Sequence, residues 1–249
     1  MSKKKNFLLE KVIEIMRGEP KGKILDIGCG DGEYSFNLKE KGFEVIALDI
    51  DEERFKYKNK IEFLKCDLTK GLPFPNEFFD YVLFLEVIEH IYNHSFVIEE
   101  IYRILKPNGL LILSTPNILN IRSRLRFLFE GNFDFFREPT LDYYKLYPER
   151  LRNIHLLVWR YQELEFLLFK NNFCVEEIYT DYIRFQFKLL SFIFKPLIFI
   201  HCKKKERKFK KIGLDYRRIN RILLSQELFL GRHLIIRARK VLRDNLKEE

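Results

Sequence analysis

The sequence predicts an α/β protein built on an open, mostly parallel sheet with helices on both faces. Three observations carry the prediction. Short, nearly all-apolar runs alternate with segments of helical period, as expected when strands are covered on both sides by crossover helices. A cluster of glycines directly follows the first apolar run, which suits a strand turning tightly into a helix. Asp26, Asp49 and Asp67 recur at or near the ends of the first three runs, where open α/β sheets bind ligands.

Residues 6–17 place Leu8, Leu9, Val12, Ile13 and Met16 at helical spacing, and Glu19-Pro20-Lys21-Gly22 breaks the helix. KILDIGCG is a buried strand entering a tight turn. Residues 32–41 form a helix ended by Gly42. FEVIALDI (43–50) is the second strand, DEERFKYKNK a charged helix and IEFLKCDL (61–68) the third strand. A loop with Gly71, Pro73 and Pro75 leads to FFDYVLFL (78–85), the fourth. A helical stretch covers 86–105 with a break near Asn93, and Lys106-Pro107-Asn108-Gly109 makes a turn. LLILST (110–115) is the fifth strand, closed by Pro116. Residues 118–158 are basic and aromatic and read as an insertion over the ligand edge of the sheet. Residues 160–172 form a helix, FCVEEIYT (173–180) the sixth strand and HLIIRARK (233–240) the closing strand. The main domain is thus 1–181 plus 231–241, with 182–230 as an apolar, basic cap. No repeat at a period of 20–50 residues is present.

Composition narrows the class. The chain has 249 residues, 47% of them hydrophobic, enough for a sizeable core without staples. Cys29, Cys66, Cys174 and Cys202 are far apart with no C-x-x-C pair, which argues against a zinc ribbon or disulfide scaffold and suits a reducing compartment. The start, MSKKKNFLLEKVIEIMRGEP, lacks a sustained apolar stretch, so no signal peptide is expected and the chain is expected to be cytoplasmic. No run of 18 uncharged apolar residues exists, so a spanning helix is not expected. The net charge of +9 is uneven, because residues 1–120 hold 17 Lys+Arg and 20 Asp+Glu while 121–249 hold 28 and 16. The basic half suggests an anionic partner, nucleic acid or a membrane surface.

The strongest chemical signal is Asp26-Ile27-Gly28-Cys29-Gly30-Asp31-Gly32. Glycines at i, i+2 and i+4 let backbone approach a ligand at a helix N-terminus. Residue 33 is Glu, so the G-x-G-x-x-G dinucleotide fingerprint is not met and a nicotinamide cofactor is the weaker reading. Asp49, 21 positions after Gly28, can accept from two ribose hydroxyls. Asp67 stands where a carboxylate can accept from an exocyclic adenine amine.

ILDIGCGDGEYS, VIALDID, CDL, LPFPNEFFDYVLFLEVIEHI and RILKPNGLLILSTPN resemble, in order and spacing, the class I S-adenosylmethionine-dependent methyltransferases. The likeness covers residues 8–117 well, and 155–180 and 233–240 loosely. It is specific for the family and weak below that level, with the ubiquinone-pathway and small-molecule branch the nearest in pattern. It implies a Rossmann-like, seven-stranded sheet with an antiparallel last strand. It also implies S-adenosyl-L-methionine as cofactor, with S-adenosyl-L-homocysteine as product. Gly28, Cys29, Gly30 and Gly32 would line its methionine part and Asp26 would hold the loop. Asp49 and Ile50 would meet the ribose, Asp67 and Leu68 the adenine, and Leu85 and Glu86 the amino-acid end and sulfonium.

Glu86, Glu89 and His90 stand at i, i+3 and i+4, so on a helix they share one face. Two carboxylates and an imidazole can ligate Mg²⁺, Mn²⁺ or Zn²⁺. The segment is similar to the metal-ligand run of ubiquinone-pathway O-methyltransferases and metal-dependent small-RNA 2′-O-methyltransferases. In the RNA enzymes a distant His completes the site, and His155 is the candidate here. The bland reading is a solvated helix start whose carboxylates suit the dipole, and a divalent metal is the weaker reading. Without a metal, His90 or His155 is the candidate general base. His94 reads as a surface residue.

QFKLLSFIFKPLIFIHCKKKERKFKK (186–211) holds a 12-residue apolar stretch containing Lys195 and Pro196, then a polybasic run. It is too short and charged to span a bilayer, but suits interfacial contact with anionic lipid. A cap packed on the sheet, an RNA-binding stripe or a lid over a hydrophobic substrate are the other readings. Together these features point to O-methylation of a small or lipid-linked acceptor. An RNA 2′-O-methyltransferase and a non-catalytic S-adenosylmethionine-binding protein are the alternatives, and no dedicated RNA-binding module is visible.

Overall fold

The computed structural model describes residues 6–136, 141–146, 155 and 157–242. All seven predicted strands are present: β1 (Lys23–Ile27), β2 (Glu44–Asp49), β3 (Glu62–Lys65), β4 (Phe79–Leu85), β5 (Leu105–Pro116), β6 (Phe173–Tyr179) and β7 (His233–Lys240). They form one sheet in the order β3-β2-β1-β4-β5-β7-β6. β7 runs antiparallel to β5 and β6, and the pairs from β3 to β5 are parallel.

Alternate residues of each strand feed opposite faces. On one face Ile24, Tyr81, Leu83, Leu110, Ile112 and Ile235 pack on helix α1 (Phe7–Arg17) and on Leu38 of α2 (Glu33–Glu40). Asn6 caps α1 by accepting from the Leu9 amide at 3.1 Å. On the other face Leu25, Ile27, Val82, Phe84, Leu111 and Leu113 pack on α3 (His94–Ile104). Helix α4 (Ile121–Glu130) and the short α5 (Leu141–Leu146) come after β5 in the chain, and α6 (Tyr161–Lys170) covers the same face as α3.

Three local expectations are corrected. The charged segment after β2 is not a helix but a single 3₁₀ turn, Glu52–Arg54. The chain must drop Phe55 into a small core with Cys29, Ala47 and Ile61, which a continuing helix would carry out into solvent. The stretch 86–105 is broken near Asn93 as expected, but its first part is only a 3₁₀ turn at Ile88–His90, ahead of α3. The Lys106–Gly109 turn lies inside β5 as an irregularity, where Phe79 pairs with Leu105 and Tyr81 with Leu110. Asn108 there has φ +60°, and Lys106 Nζ reaches Asp80 at 2.7 Å.

The segment 182–230 is helical: α7 (Lys188–Lys210), α8 (Arg217–Leu223) and α9 (Gln226–Leu230). At its stem Ile183 pairs with Gly231, and the Arg232 amide donates to Tyr182 O at 3.0 Å. Gly231 has no room for a side chain, because a Cβ would lie 2.0 Å from Glu227 O. Asn117 Nδ2 reaches the carbonyls of Glu227, Leu228 and Gly231 at 2.9–3.2 Å, tying the end of β5 to the cap. α7 corrects the expectation on length. It has 23 residues, about 35 Å of helix, and Phe185–Lys210 is long and apolar enough, by length and composition alone, to cross a membrane. One side of α7 packs Leu190, Phe194 and Ile198 on Ile121, Phe229 and Leu230. The other leaves Leu189, Phe192, Ile193, Leu197 and Ile200 exposed.

Candidate functional site

The parallel strands deliver their carboxyl ends to one edge. There β1 leaves the sheet through Gly28, Gly30 and Gly32, at φ +70°, +56° and +84°, a region that disfavours other residues. The Gly28 and Cys29 amides donate to Leu48 O at 2.7 and 3.1 Å, and the Gly30 amide donates to Asp49 Oδ2 at 2.8 Å. A Cβ on Gly28 would lie 2.4 Å from Val87, and one on Gly32 2.4 Å from Phe55. Above Gly30 the nearest atom to a Cβ would be Arg54 Nη2 at 3.8 Å, so the space is open. α2 then begins at Glu33, whose amide donates to Asp31 Oδ1 at 3.1 Å.

The sequence-predicted residues take different stations here. Asp26 is buried and accepts from Ser35 Oγ at 2.5 Å. Burial, with the Asp49 charge adding, pushes its carboxyl up to about 6 against the lowering effect of Ser35. Cys29 turns its side chain into the core, where burial raises the thiol, so only its backbone belongs to the turn. Asp49 Oδ1 accepts from the Asp51 amide at 2.9 Å, and the neighbouring Ile50 is 63% exposed. Asp67 accepts from the amide and hydroxyl of Thr69 at 3.0 and 2.7 Å, which lowers its carboxyl. Leu68 opens the following 3₁₀ turn, and Leu85 is buried at the end of β4.

Glu86, Glu89 and His90 do not share a face, which corrects the helical reading. Glu86 takes φ +56° outside any helix, and its carboxylate goes to Ser114 and His233. Glu89, His90 and His155 do converge, with candidate ligand atoms within 4.8 Å of one another. The four-residue metal set is therefore not assembled. Nor is Glu89 solvated: it is 0% exposed, Thr115 Oγ1 lies 3.2 Å from its Oε2, and its Oε1 has no hydrogen-bond partner among the described residues. Burial first, and the Glu86 charge second, hold its carboxyl well above the usual range. His155 Nε2 lies 4.0 Å from Glu89 Oε1, and the His90 and His155 rings are 4.9 Å apart. His94 is half-buried rather than a surface residue, its ring packed edge-on against Trp159. Residues 137–140, 147–154 and 156 of the predicted 118–158 insertion lie outside the described residues.

Sequence reasoning missed Asp181, His233 and Tyr34. With Glu33, Glu86 and Arg232 they line a cavity of 460 Å³ beside the start of α2. His233 was findable in principle. It opens β7, and because that strand is antiparallel to β5 its first residue sits opposite Pro116 at the carboxyl edge. Nothing in the sequence pairs it with Asp181 or Glu86.

A methyltransferase-domain family matches residues 25–113, which is the β1–β5 core just described. Residues 25–113 thus match a methyltransferase domain, and the chain's likeness to that family rests on this part of it. The putative methyltransferase YqeM of Bacillus subtilis is 33% identical over 111 residues, 41% of this chain and 45% of that protein. A ubiquinone biosynthesis O-methyltransferase of Rickettsia canadensis is 32% identical over 119 residues, 45% of this chain and 50% of that one. The chain thus spans half or less of the length of these relatives. The methyltransferase fold continues beyond the matched core. A methyltransferase structure from Archaeoglobus fulgidus, 20% identical, covers 94% of this chain and 91% of its own at TM-score 0.55. One from Bacillus halodurans, 18% identical, covers 94% and 99% at 0.57.

The raised Asp26 carboxyl has a measurable consequence. A carboxyl raised from 3.8 to about 6 contributes stability that is complete below 3.8 and lost as pH rises through 6. Asp26→Asn removes that titration. Relative to wild type, the variant is expected to gain roughly 1–3 kcal/mol between pH 4 and 7, measured by urea unfolding at each pH. A pH-independent difference would refute the burial argument.

Proposed function

We propose that the chain transfers the methyl group of S-adenosylmethionine to an oxygen of a small or lipid-linked acceptor. The single observation that carries this reading is the glycine turn hydrogen-bonded to Asp49 at the carboxyl edge of the sheet. The residues fit the cofactor: there is open space above Gly30, an exposed apolar Ile50 beside Asp49 and a cavity at the α2 start. Asp26 holds the turn through Ser35, and Gly28, Cys29, Gly30 and Gly32 present backbone to the ligand. Asp49 and Ile50 take the ribose side, Asp67 and Leu68 the adenine, and Leu85 and Glu86 the amino-acid end. When bound, the cofactor supplies an electrophilic methyl on sulfur. The chain supplies position and excludes water, and His90 or His155 takes the acceptor's proton. The ubiquinone O-methyltransferase relatives support a hydroxylated, hydrophobic acceptor.

A second reading of the Glu89, His90 and His155 cluster is a divalent-cation site. The unpartnered, buried Oε1 of Glu89 favours it, since a buried carboxylate oxygen without a donor is costly unless neutralised. A cation there would orient the acceptor oxygen.

The exposed side of α7 supports contact with an anionic membrane. Phe192 and Leu189 are 72% and 73% exposed, and the helix runs on into Lys203, Lys204, Lys205, Arg207 and Lys208. Apolar anchors beside clustered cations are what interfacial binding needs. Lys188, Lys195 and Pro196 within the helix, and its other side packed on Phe229, favour lying on the membrane over crossing it. A cytoplasmic, peripherally associated enzyme follows from this reading.

Calorimetric titration with S-adenosylhomocysteine is expected to give micromolar binding, weakened by about 1–3 kcal/mol in Asp49→Ala. An unchanged affinity would remove Asp49 from the site. Titration with Mn²⁺ alone is expected to show one site, lost in His90→Ala, if the cation reading holds; no heat with wild type sinks it. Sedimentation with phosphatidylserine vesicles is expected to carry the protein down at low salt and release it at high salt. Phe192→Glu should abolish the pelleting, and pelleting that ignores both salt and this change would overturn the membrane reading.

A further inference from the structure

The Glu86 carboxylate is held from two sides. Ser114 Oγ donates to its Oε1 at 2.8 Å, and His233 Nε2 lies 3.3 Å from its Oε2. His233 is itself 6% exposed. Its Nδ1 lies 2.8 Å from Asp181 Oδ2, and its amide donates to Asp181 Oδ1 at 3.0 Å. With one carboxylate hydrogen-bonded to Nδ1 and another 3.3 Å from Nε2, the charged imidazolium is the form that suits both neighbours. Phe135 covers the ring at 5.3 Å, and the Arg184 and Arg232 guanidiniums sit over Phe135 at 5.5 Å.

The charged groups around His233 decide its state. Burial alone favours the neutral ring, but the charges of Glu86 and Asp181 outweigh burial and the opposing Arg232, so the ring titrates above its ordinary value. Burial would likewise raise Asp181, and His233 outweighs it, so that carboxyl is lowered. Glu33 and Tyr34 of α2 face the same cavity.

We propose that Asp181 and His233 are a positioning pair for Glu86: they hold its carboxylate at the wall of the cavity beside α2, where it accepts a hydrogen bond from the cofactor's α-ammonium group. This rests on the methyltransferase reading above. The backbone supports it. A non-glycine residue at φ +56° costs about 1–3 kcal/mol, and the Glu86 amide is secured there by Ser114 O at 3.1 Å. That conformation is also what separates Glu86 from Glu89 and His90. Asp181 and His233 flank the stem of the 182–230 segment, so the pair joins the cap's base to the end of β4.

The test compares two ligands by calorimetry, S-adenosylhomocysteine and 5′-methylthioadenosine. The second shares the adenosine and sulfur of the first but lacks its amino-acid end. His233→Asn and Asp181→Asn are each expected to weaken S-adenosylhomocysteine about tenfold, the loss of one charge-assisted hydrogen bond, while 5′-methylthioadenosine stays within about twofold. In wild type, S-adenosylhomocysteine affinity is expected to fall as pH rises past the ordinary imidazole range and His233 loses its proton, and His233→Asn is expected to flatten that profile. Equal effects on both ligands, or a wild-type profile flat to pH 9, would overturn the pair's role alone. A wild-type protein that binds neither ligand would overturn the cofactor reading and this proposal with it.

Discussion

Three hydrogen bonds at the end of β1, two to backbone and one to a carboxylate, set the geometry on which the rest of the site depends. Gly28 and Cys29 donate to Leu48 O, and Gly30 donates to Asp49. They tie the exit of β1 to the exit of β2 while the chain turns through left-handed φ at three glycines. An L-residue would cost about 1–2 kcal/mol at each such position, and at Gly28 and Gly32 it would also collide with Val87 or Phe55. The turn fixes where α2 starts, and α2 in turn forms one wall of the cavity at Glu33 and Tyr34. The same requirement reaches across the sheet, because the residue that limits Gly28 is Val87, one place after Glu86.

Much of this was legible in the sequence. The inner strands β1, β2, β4 and β5 were visible as apolar runs, since burial on both faces leaves little room for polar residues, while the edge strands β3 and β6 are only partly buried and carry charged residues. The glycine turn was visible because only glycine fits there. What sequence spacing could not give was local backbone geometry. Glu86, Glu89 and His90 share a face only on a continuous helix, and the chain instead passes through a left-handed residue and a 3₁₀ turn. The 51–60 segment has a helical composition, but tertiary packing of Phe55 overrides it. Asp181 and His233 carry no local signature, because their meeting depends on the antiparallel return of β7 beside β6.

The cap shows how composition can mislead about length. Lys195 and Pro196 made 186–211 look like an interrupted stretch, yet α7 runs through both. Its inner side is satisfied by Phe229, Leu230 and Ile121. A helix apolar on two sides needs two partners, and among the described residues the fold supplies one. The uneven charge of the sequence follows the same division, with the acidic half building the sheet's ligand edge and the basic half building the cap.

The stem of that cap has a consequence for the protein's history. The 182–230 segment leaves β6 and re-enters β7 through strands that are already antiparallel neighbours, closed by the Ile183–Gly231 bridge. Its two ends meet whatever lies between them. A lineage can therefore lengthen, shorten or exchange this piece without rethreading the sheet, at an entropic cost of about 0.6 kcal/mol for each doubling of loop length. The junction is a graft point, and variation there can change what the protein docks against while the β1–β2 exit stays as it is.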